Sequence, residues 1–298
     1  MKDIKYWIWL SIFCFKPIEK IKLLELFENN PKAIWEIDEK SLYEKIIKNT
    51  NTFSTIRGKK IISEIKESRK RINLEILEKR AKDDNVSVIT FLDELYPKEL
   101  LNIYDYPIVL YVKGNVNILN QKSLAIVGCR NCTEYGSKIS EKISKVLSER
   151  EFVIISGMAK GIDSYAHLGC VKQNKSTIAV LGSGVNVIYP KENEKLYKEI
   201  LETNGAIISE YFIDVSPSKE NFPMRNRIVS GMSKGVIVVE AKKRSGSLIT
   251  ANLGLEQGKE IFAIPGNITS KNSEGTNELI KDGAKMVLKL EDILEEYW

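Results

Sequence analysis

The sequence predicts an α/β protein: a doubly wound, mostly parallel sheet preceded by a small all-helical N-terminal domain. Seven apolar runs recur from residue 123 onward, each followed by a helix-length amphipathic stretch. They are rich in Ile and Val and apolar on both faces, as strands are when helices cover both sides of a sheet. The first 80 residues follow a different period, with Ile21-Leu24-Phe27, Ile61-Ile65 and Ile72-Ile76 at helical spacing.

The elements run in order. Asn29-Asn30-Pro31 and Gly58 read as breaks, dividing residues 1–81 into three or four short helices. The aromatic run from Tyr6 to Phe15 is about ten residues, too short to cross a bilayer. It lacks a small-residue cleavage site and reads as a buried first helix. Residues 82–298 form the second domain. It opens with two strands, "VSVITF" and "PIVLYVKG", on either side of "LDELYPKELL". The seven sheet strands are then "SLAIVG", "FVIIS", "TIAVLG", "AIISE", "GVIVVE", "EIFAI" and "KMVLK". There is no tandem repeat and no low-complexity tract.

The formal charge is +5, too mild to argue for nucleic acid by itself. Residues 1–81 hold 18 Lys plus Arg against 12 Asp plus Glu, and the remainder holds 27 against 28. Any basic site in the larger domain is therefore a local cluster. The basic helices fit either a helix-hairpin-helix-like module or an ordinary helical cap with solvated lysines. Four Cys in 298 residues do not make a secreted disulfide framework, and a cytoplasmic setting with no membrane partner is expected.

In doubly wound sheets ligands bind beyond the carboxyl ends of the strands. Those ends carry Gly128-Cys129-Arg130, Ser156-Gly157-Met158-Ala159-Lys160-Gly161, Gly182-Ser183-Gly184, Ser209-Glu210, Glu240-Ala241-Lys242 and Pro265-Gly266-Asn267. Glycine lets the backbone approach a ligand, and free amides at helix starts attract anions. A dinucleotide fingerprint is incomplete, because Val187 and Arg130 stand where glycines are required. A Walker loop is absent. Cations gather instead: Arg130, Lys160, Lys191, Arg225, Arg227, Lys242, Lys243 and Arg244. Lys243 and Arg244 read as solvated surface. The rest suit a polyanion better than one small phosphate.

Cys129 and Cys132 form a Cys-x-x-Cys pair. A redox role calls for a lowered thiol pKa at a helix start. Zinc calls for two more ligands, and His167 is the single histidine. The expectation is no metal and no cofactor, with the cysteines filling small-residue slots. His167 reads as a packing or capping residue. Glu210 and Glu240 end strands but define no reaction.

Seven motifs then occur in series: "AIVGCRNCTEYG", "ISGMAKGIDSYAHLG", "TIAVLGSGVNVIYPKEN", "ISEY", "NFPMRNRIVSGMS", "VVEAKKRSGSLITANLGLEQGKEIFAIPGN" and "SEGTNELIKDGA". Together they resemble the DprA/Smf family of DNA-processing proteins over about residues 82–290. The N-terminal helices resemble that family's small helical domain more weakly. The resemblance implies a Rossmann-like domain and a non-enzymatic role in natural transformation. Such a protein binds and protects single-stranded DNA, helps load the RecA recombinase and forms a homodimer. Some relatives carry a C-terminal winged helix, and this sequence stops at Trp298 without one.

The family's Gly-Ser-Arg loop is here Gly128-Cys129-Arg130, with Cys in place of Ser. Its Tyr-Pro-Lys motif is Tyr189-Pro190-Lys191, and its Phe-Pro-x-Arg-Asn-Arg motif runs from Phe222 to Arg227. The expected DNA contacts are Gly128, Arg130, Ser156, Gly157, Lys160, Gly182, Gly184, Lys191, Phe222, Arg225, Asn226, Arg227, Lys242, Ser245 and Gly246. Arg130, Lys191 and Arg225 are expected on phosphates, while Tyr189, Tyr211 and Phe222 either stack on bases or belong to the core. Arg227 either joins the phosphate contacts or ties its helix to Glu210 or Glu240. Leu279, Ile280 and Val287 either face a second copy or cover the sheet. Two other functions stay open. A phosphoribohydrolase of the same superfamily would need a Pro-Gly-Gly-x-Gly-Thr-x-x-Glu motif, where this chain reads "KKRSGSLITANLGLE". A nucleotide-sensing module is the third.

Overall fold

The computed structural model describes residues 3–48 and 52–297. Six helices come first: α1 (Ile4–Ser11), α2 (Pro17–Leu26), α3 (Pro31–Glu36), α4 (Glu39–Ile47), α5 (Thr55–Arg71) and α6 (Leu74–Asp83). Their starts are written in the sequence. Asn30, Asp38, Ser54 and Asn73 each accept hydrogen bonds from first-turn amides, and Pro31 follows Asn30. Gly58 is not a break. It lies inside α5 and is buried against α4, where a Cβ would stand 2.9 Å from a methyl of Ile47. Glycine there serves helix–helix approach, and that contact overrides its weak helix propensity.

The remaining elements are β1 (Ser87–Thr90), β2 (Val109–Gly114), β3 (Ser123–Val127), α7 (Glu134–Glu149), β4 (Val153–Ser156), α8 (Ile162–Val171), β5 (Thr177–Val180), α9 (Glu194–Glu202), β6 (Ala206–Ser209), α10 (Asn221–Gly231), β7 (Gly235–Val238), α11 (Gly246–Glu256), β8 (Glu260–Ala263), α12 (Glu274–Lys281), β9 (Lys285–Met286) and α13 (Glu291–Leu294). One sheet holds the strands in the order β1-β2-β6-β5-β4-β3-β7-β8-β9. The β1–β2 and β2–β6 pairs are antiparallel, and all others are parallel.

Alternation sorts the strand side chains to two faces. Leu124, Ile126, Ile154 and Ile237 pack with Ile143 of α7 and Ile162 of α8. Ala125, Val127, Ile155 and Val238 pack with Ile228 of α10 and Ala251 of α11. The N-terminal helices do not stand apart from the sheet. Trp7, Ile8 and Leu10 of α1 share one continuous core with Tyr111, Ile207 and Phe212. Ser11 Oγ lies 2.5 Å from the Tyr111 hydroxyl. Lys20 is buried beside them, donates to the Ser11 carbonyl, and is pushed by burial down to a pKa of about 8.

Leu279 and Val287 are 9% and 6% exposed and belong to the chain's own core, with Ile280 packed against it. Leu279 and Val287 therefore cover the sheet, and Ile280 is partly buried beside them. No described helix is long and apolar enough to cross a membrane.

Candidate nucleic-acid interface

From β3 the chain moves to β4 on one side, and from β7 to β8 on the other. The loops after β3 and β7 therefore diverge, and a crevice opens between them. It has a volume of about 360 Å³ and is lined by Gly128, Arg130, Gly157, Phe222, Arg225, Asn226, Lys242, Arg244, Ser245 and Gly246, among others. A smaller recess of about 60 Å³ adjoins it, lined by Arg130, Lys160, Tyr189 and Phe222.

Arg130 is exposed, and its guanidinium carbon lies 5.5 Å from the centre of the Phe222 ring. Tyr189 also stands 5.6 Å from that ring, tilted by 36° and 42% exposed. A cation and two aromatic faces thus form a shelf at the mouth. Gly182 is buried next to the Phe222 ring. Lys160 is exposed and ion-paired with Glu192. Lys191 is exposed but lines neither cavity.

Arg225 forms the floor of both cavities. It is 5% exposed, and its Nη1 donates to the carbonyls of Gly157 and Val180. A Cβ at Gly157 would stand 2.5–2.6 Å from the guanidinium, so only glycine fits. Burial lowers the Arg225 pKa, and nearby Asp163 opposes that. Asp163 is itself buried at the start of α8. Burial pushes its pKa up, while Arg225 and the amides of Ala159, Gly157 and Gly128 pull it down. Together Arg225 and Asp163 hold the loops after β3 and β4 beneath the crevice.

The opposite wall is the start of α11. Ser245 caps it, accepting from the Ser247 amide at 3.3 Å, and nothing lies within 4 Å of where a Gly246 Cβ would stand. Asn226 Nδ2 donates to the Gly246 carbonyl at 3.3 Å, joining α10 to this wall. Neither α10 nor α11 carries an acid in its first turn. Among the described residues, Arg130, Lys242 and Arg244 make no ion pair. Lys243, between two of them, turns away to Glu278 at 3.9 Å. Arg244 therefore belongs to the crevice and is not plain surface. A run of three cations looks uniform in sequence, and only the fold shows that the middle one turns away.

Several expected contacts sit elsewhere. Ser156 is fully buried and its hydroxyl donates to the Ile126 carbonyl at 2.6 Å, because alternation turns it into the sheet. Gly184 is buried against Phe212 and Ile213. Arg227 is 3% exposed and pairs with Glu210 at 2.5 Å and Asp105 at 3.3 Å, the tying role. Tyr211 is half-buried and lines neither cavity.

The cysteine pair is chemically quiet. Burial pushes the Cys129 thiol up to about 12, with Glu240 reinforcing it, and burial raises Cys132 as well. A redox pair requires the opposite shift. His167 is fully buried, bonded through Nδ1 to Thr177 at 2.8 Å, and pushed by burial down to about 3. It is a neutral packing residue. No cluster of metal-binding side chains occurs among the described residues.

The fold recurs in known proteins. The model of the family "DNA recombination-mediator protein A" matches residues 87–298. The chain is 45% identical to the DNA processing protein DprA of Streptococcus pneumoniae over 208 residues, which are 70% of this chain and 73% of that one. The X-ray structure of that organism's DprA superposes with a TM-score of 0.83 at 36% identity, covering 99% of this chain and 98% of the other. DNA processing protein A of Helicobacter pylori, whose structure describes a single-stranded DNA binding mode, matches with a TM-score of 0.64 at 31% identity. That match covers 71% of this chain and 94% of the other.

Proposed function

The chain belongs to the DNA recombination-mediator protein A family of DNA-processing proteins, and from that premise we propose that it binds single-stranded DNA in the β3–β7 crevice. One observation carries the reading: unpaired Arg130, Lys242 and Arg244 surround a crevice whose mouth is the Arg130–Phe222–Tyr189 shelf. Backbone phosphates meet the cations and the positive start of α11. Unpaired bases stack on the rings, a contact that duplex DNA does not offer and that tolerates any sequence. The Helicobacter pylori relative's single-stranded DNA binding supports the same choice.

The role is non-enzymatic. The acids beside the crevice, Asp163 and Glu240, are occupied in holding loop amides, which supports binding over base release. In the proposed role the protein protects a single strand in the cytoplasm and hands it to the RecA recombinase during transformation. It works as a homodimer, and Met286 and Leu288, 44% and 72% exposed, are apolar surface at the β9 edge for a second copy.

The test is a salt titration of fluorescent oligo-dT, single against double stranded, for the wild type and Arg130→Ala. The expected result is single-strand preference, a log–log slope of about −0.7 per phosphate contact, and a clear loss in the folded variant. Equal binding by Arg130→Ala overturns the site. Release of free base from nucleoside monophosphates would favour the hydrolase reading instead.

A further inference from the structure

Glu240 lies just beyond β7, is 3% exposed, and has no cationic partner among the described residues. A buried carboxylate without a cation is costly, so the groups it holds have to offset that cost. It holds the loop from 129 to 133 and Asn272, which is bonded to that same loop. Its Oε2 accepts from the Thr133 amide at 2.9 Å, the Cys129 thiol at 3.5 Å and Asn272 Nδ2 at 3.4 Å, while Oε1 accepts from the Thr133 hydroxyl. Its backbone carbonyl accepts from the Cys129 amide at 2.8 Å. Asn272 Nδ2 also donates to the Asn131 carbonyl at 2.9 Å, fixing the middle of the same loop. Residues 129, 131 and 133 are thus all tied inward. Arg130, between them, is left with its side chain exposed over Phe222.

We propose that Glu240, with Asn272, is the positioning residue for Arg130: it presents the guanidinium at the crevice mouth by clamping the loop on either side. The proposal rests on the single-stranded DNA reading of that crevice. Glu240 touches no strand itself. The carboxylate is the right group because its neighbours are donors, and an acceptor-only side chain satisfies them together. At Glu240→Gln, an NH₂ replaces one acceptor: at the Thr133 hydroxyl it forces that hydroxyl to turn from donor to acceptor, at the amide and thiol it faces donors, and either way the charge-assisted bonds become weaker neutral ones. The loop loosens, and the contact that Arg130 makes then carries an ordering cost on binding.

The experiment is a double-mutant cycle on oligo-dT affinity and salt slope, using the full chain, with Arg130→Ala, Glu240→Gln and the pair. Asn272→Ala is measured alongside, in case Glu240→Gln does not fold. The expected result is that Arg130→Ala and Glu240→Gln each weaken binding, with a slope shallower by about 0.7, the value of one lost contact. In the Arg130→Ala background, Glu240→Gln then has no further effect. A purely structural role lowers the melting temperature but leaves affinity and slope unchanged in the folded variant, and that outcome overturns the proposal. Additive losses overturn it too. If Arg130→Ala binds as the wild type does, the crevice reading falls and the proposal with it. If only the Glu240 and Asn272 variants bind normally, the proposal falls alone.

Discussion

The N-terminal helices and the crevice invite comparison because formal charge ranks them the wrong way round. Residues 1–81 carry the basic excess, while the rest is nearly neutral. Yet many of the helical cations are already answered. Arg57 binds Glu19 through two nitrogens, Lys66 meets Glu39, Lys70 and Arg71 share Glu67, and Arg80 pairs with Asp214. Among the described residues, Arg130, Lys242 and Arg244 of the crevice have no such partners. The lesson is that unpaired charge around a concavity, and not regional net charge, marks a polyanion site.

The sharpest contrast lies between two arginines. Removing Arg227 strands Glu210 in a mostly buried position, so Arg227→Ala is expected to destabilise the fold by about 3–5 kcal/mol. A urea melt reads that directly. Arg130→Ala is expected to leave the same melt within about 0.5 kcal/mol. Equal stability losses would erase the distinction between paired and unpaired cations.

Next is Lys20, the buried lysine of the helical side. Its folded pKa of about 8 lies below the ordinary lysine value of 10.5. Between those values the unfolded chain holds a proton that the folded chain does not, so this group makes stability rise with pH across the window. Below it the burial cost is present in full. Lys20→Met removes the cost at every pH, so its stability relative to the wild type should decline by up to about 3 kcal/mol from about pH 8 to about 10.5. Melts at several pH values check this, and a constant difference would mean that Lys20 titrates normally.

A smaller effect separates the two surfaces in binding. Lys242→Ala and Arg244→Ala should each make the salt slope for oligo-dT shallower by about 0.7. Lys59→Ala and Lys60→Ala, exposed on α5, should leave it unchanged. A slope that responds to α5 and not to the crevice would move the site to the helices. The smallest effect has the opposite sign. Glu192 neutralises Lys160 beside the mouth. Glu192→Gln frees that cation and should tighten binding about two- to threefold, since exposed pairs are weak. Weaker or unchanged binding would show that Lys160 does not reach the strand.

The strands are readable because two-sided burial writes continuous Ile/Val runs, and each of the seven from "SLAIVG" to "KMVLK" holds a strand. Arg130 is readable because it follows a glycine at a strand's carboxyl end, where ligands bind in such sheets. Gly58 is not, since its role depends on Ile47 arriving from another helix. Position tells where Arg225 lies but not that two carbonyls consume it. Ser156 and Gly184 are small residues at strand ends like their neighbours, and only the pleat and the loop packing turn them inward. Glu240 is visible only as a strand-end acid. Its clamp joins positions 129, 133 and 272, a relation that no local window contains.

The shared core of α1 and the sheet has a consequence for synthesis. Ser11 meets Tyr111 a hundred residues later, and Ile207 comes later still. At about 5–20 residues per second, the first helix waits on the order of ten seconds for its cover. Trp7, Ile8 and Leu10 are without the sheet that buries them during that interval. A nascent chain arrested before residue 110 should lose its α1 region quickly to protease. One arrested only after residue 215 has been exposed should protect it.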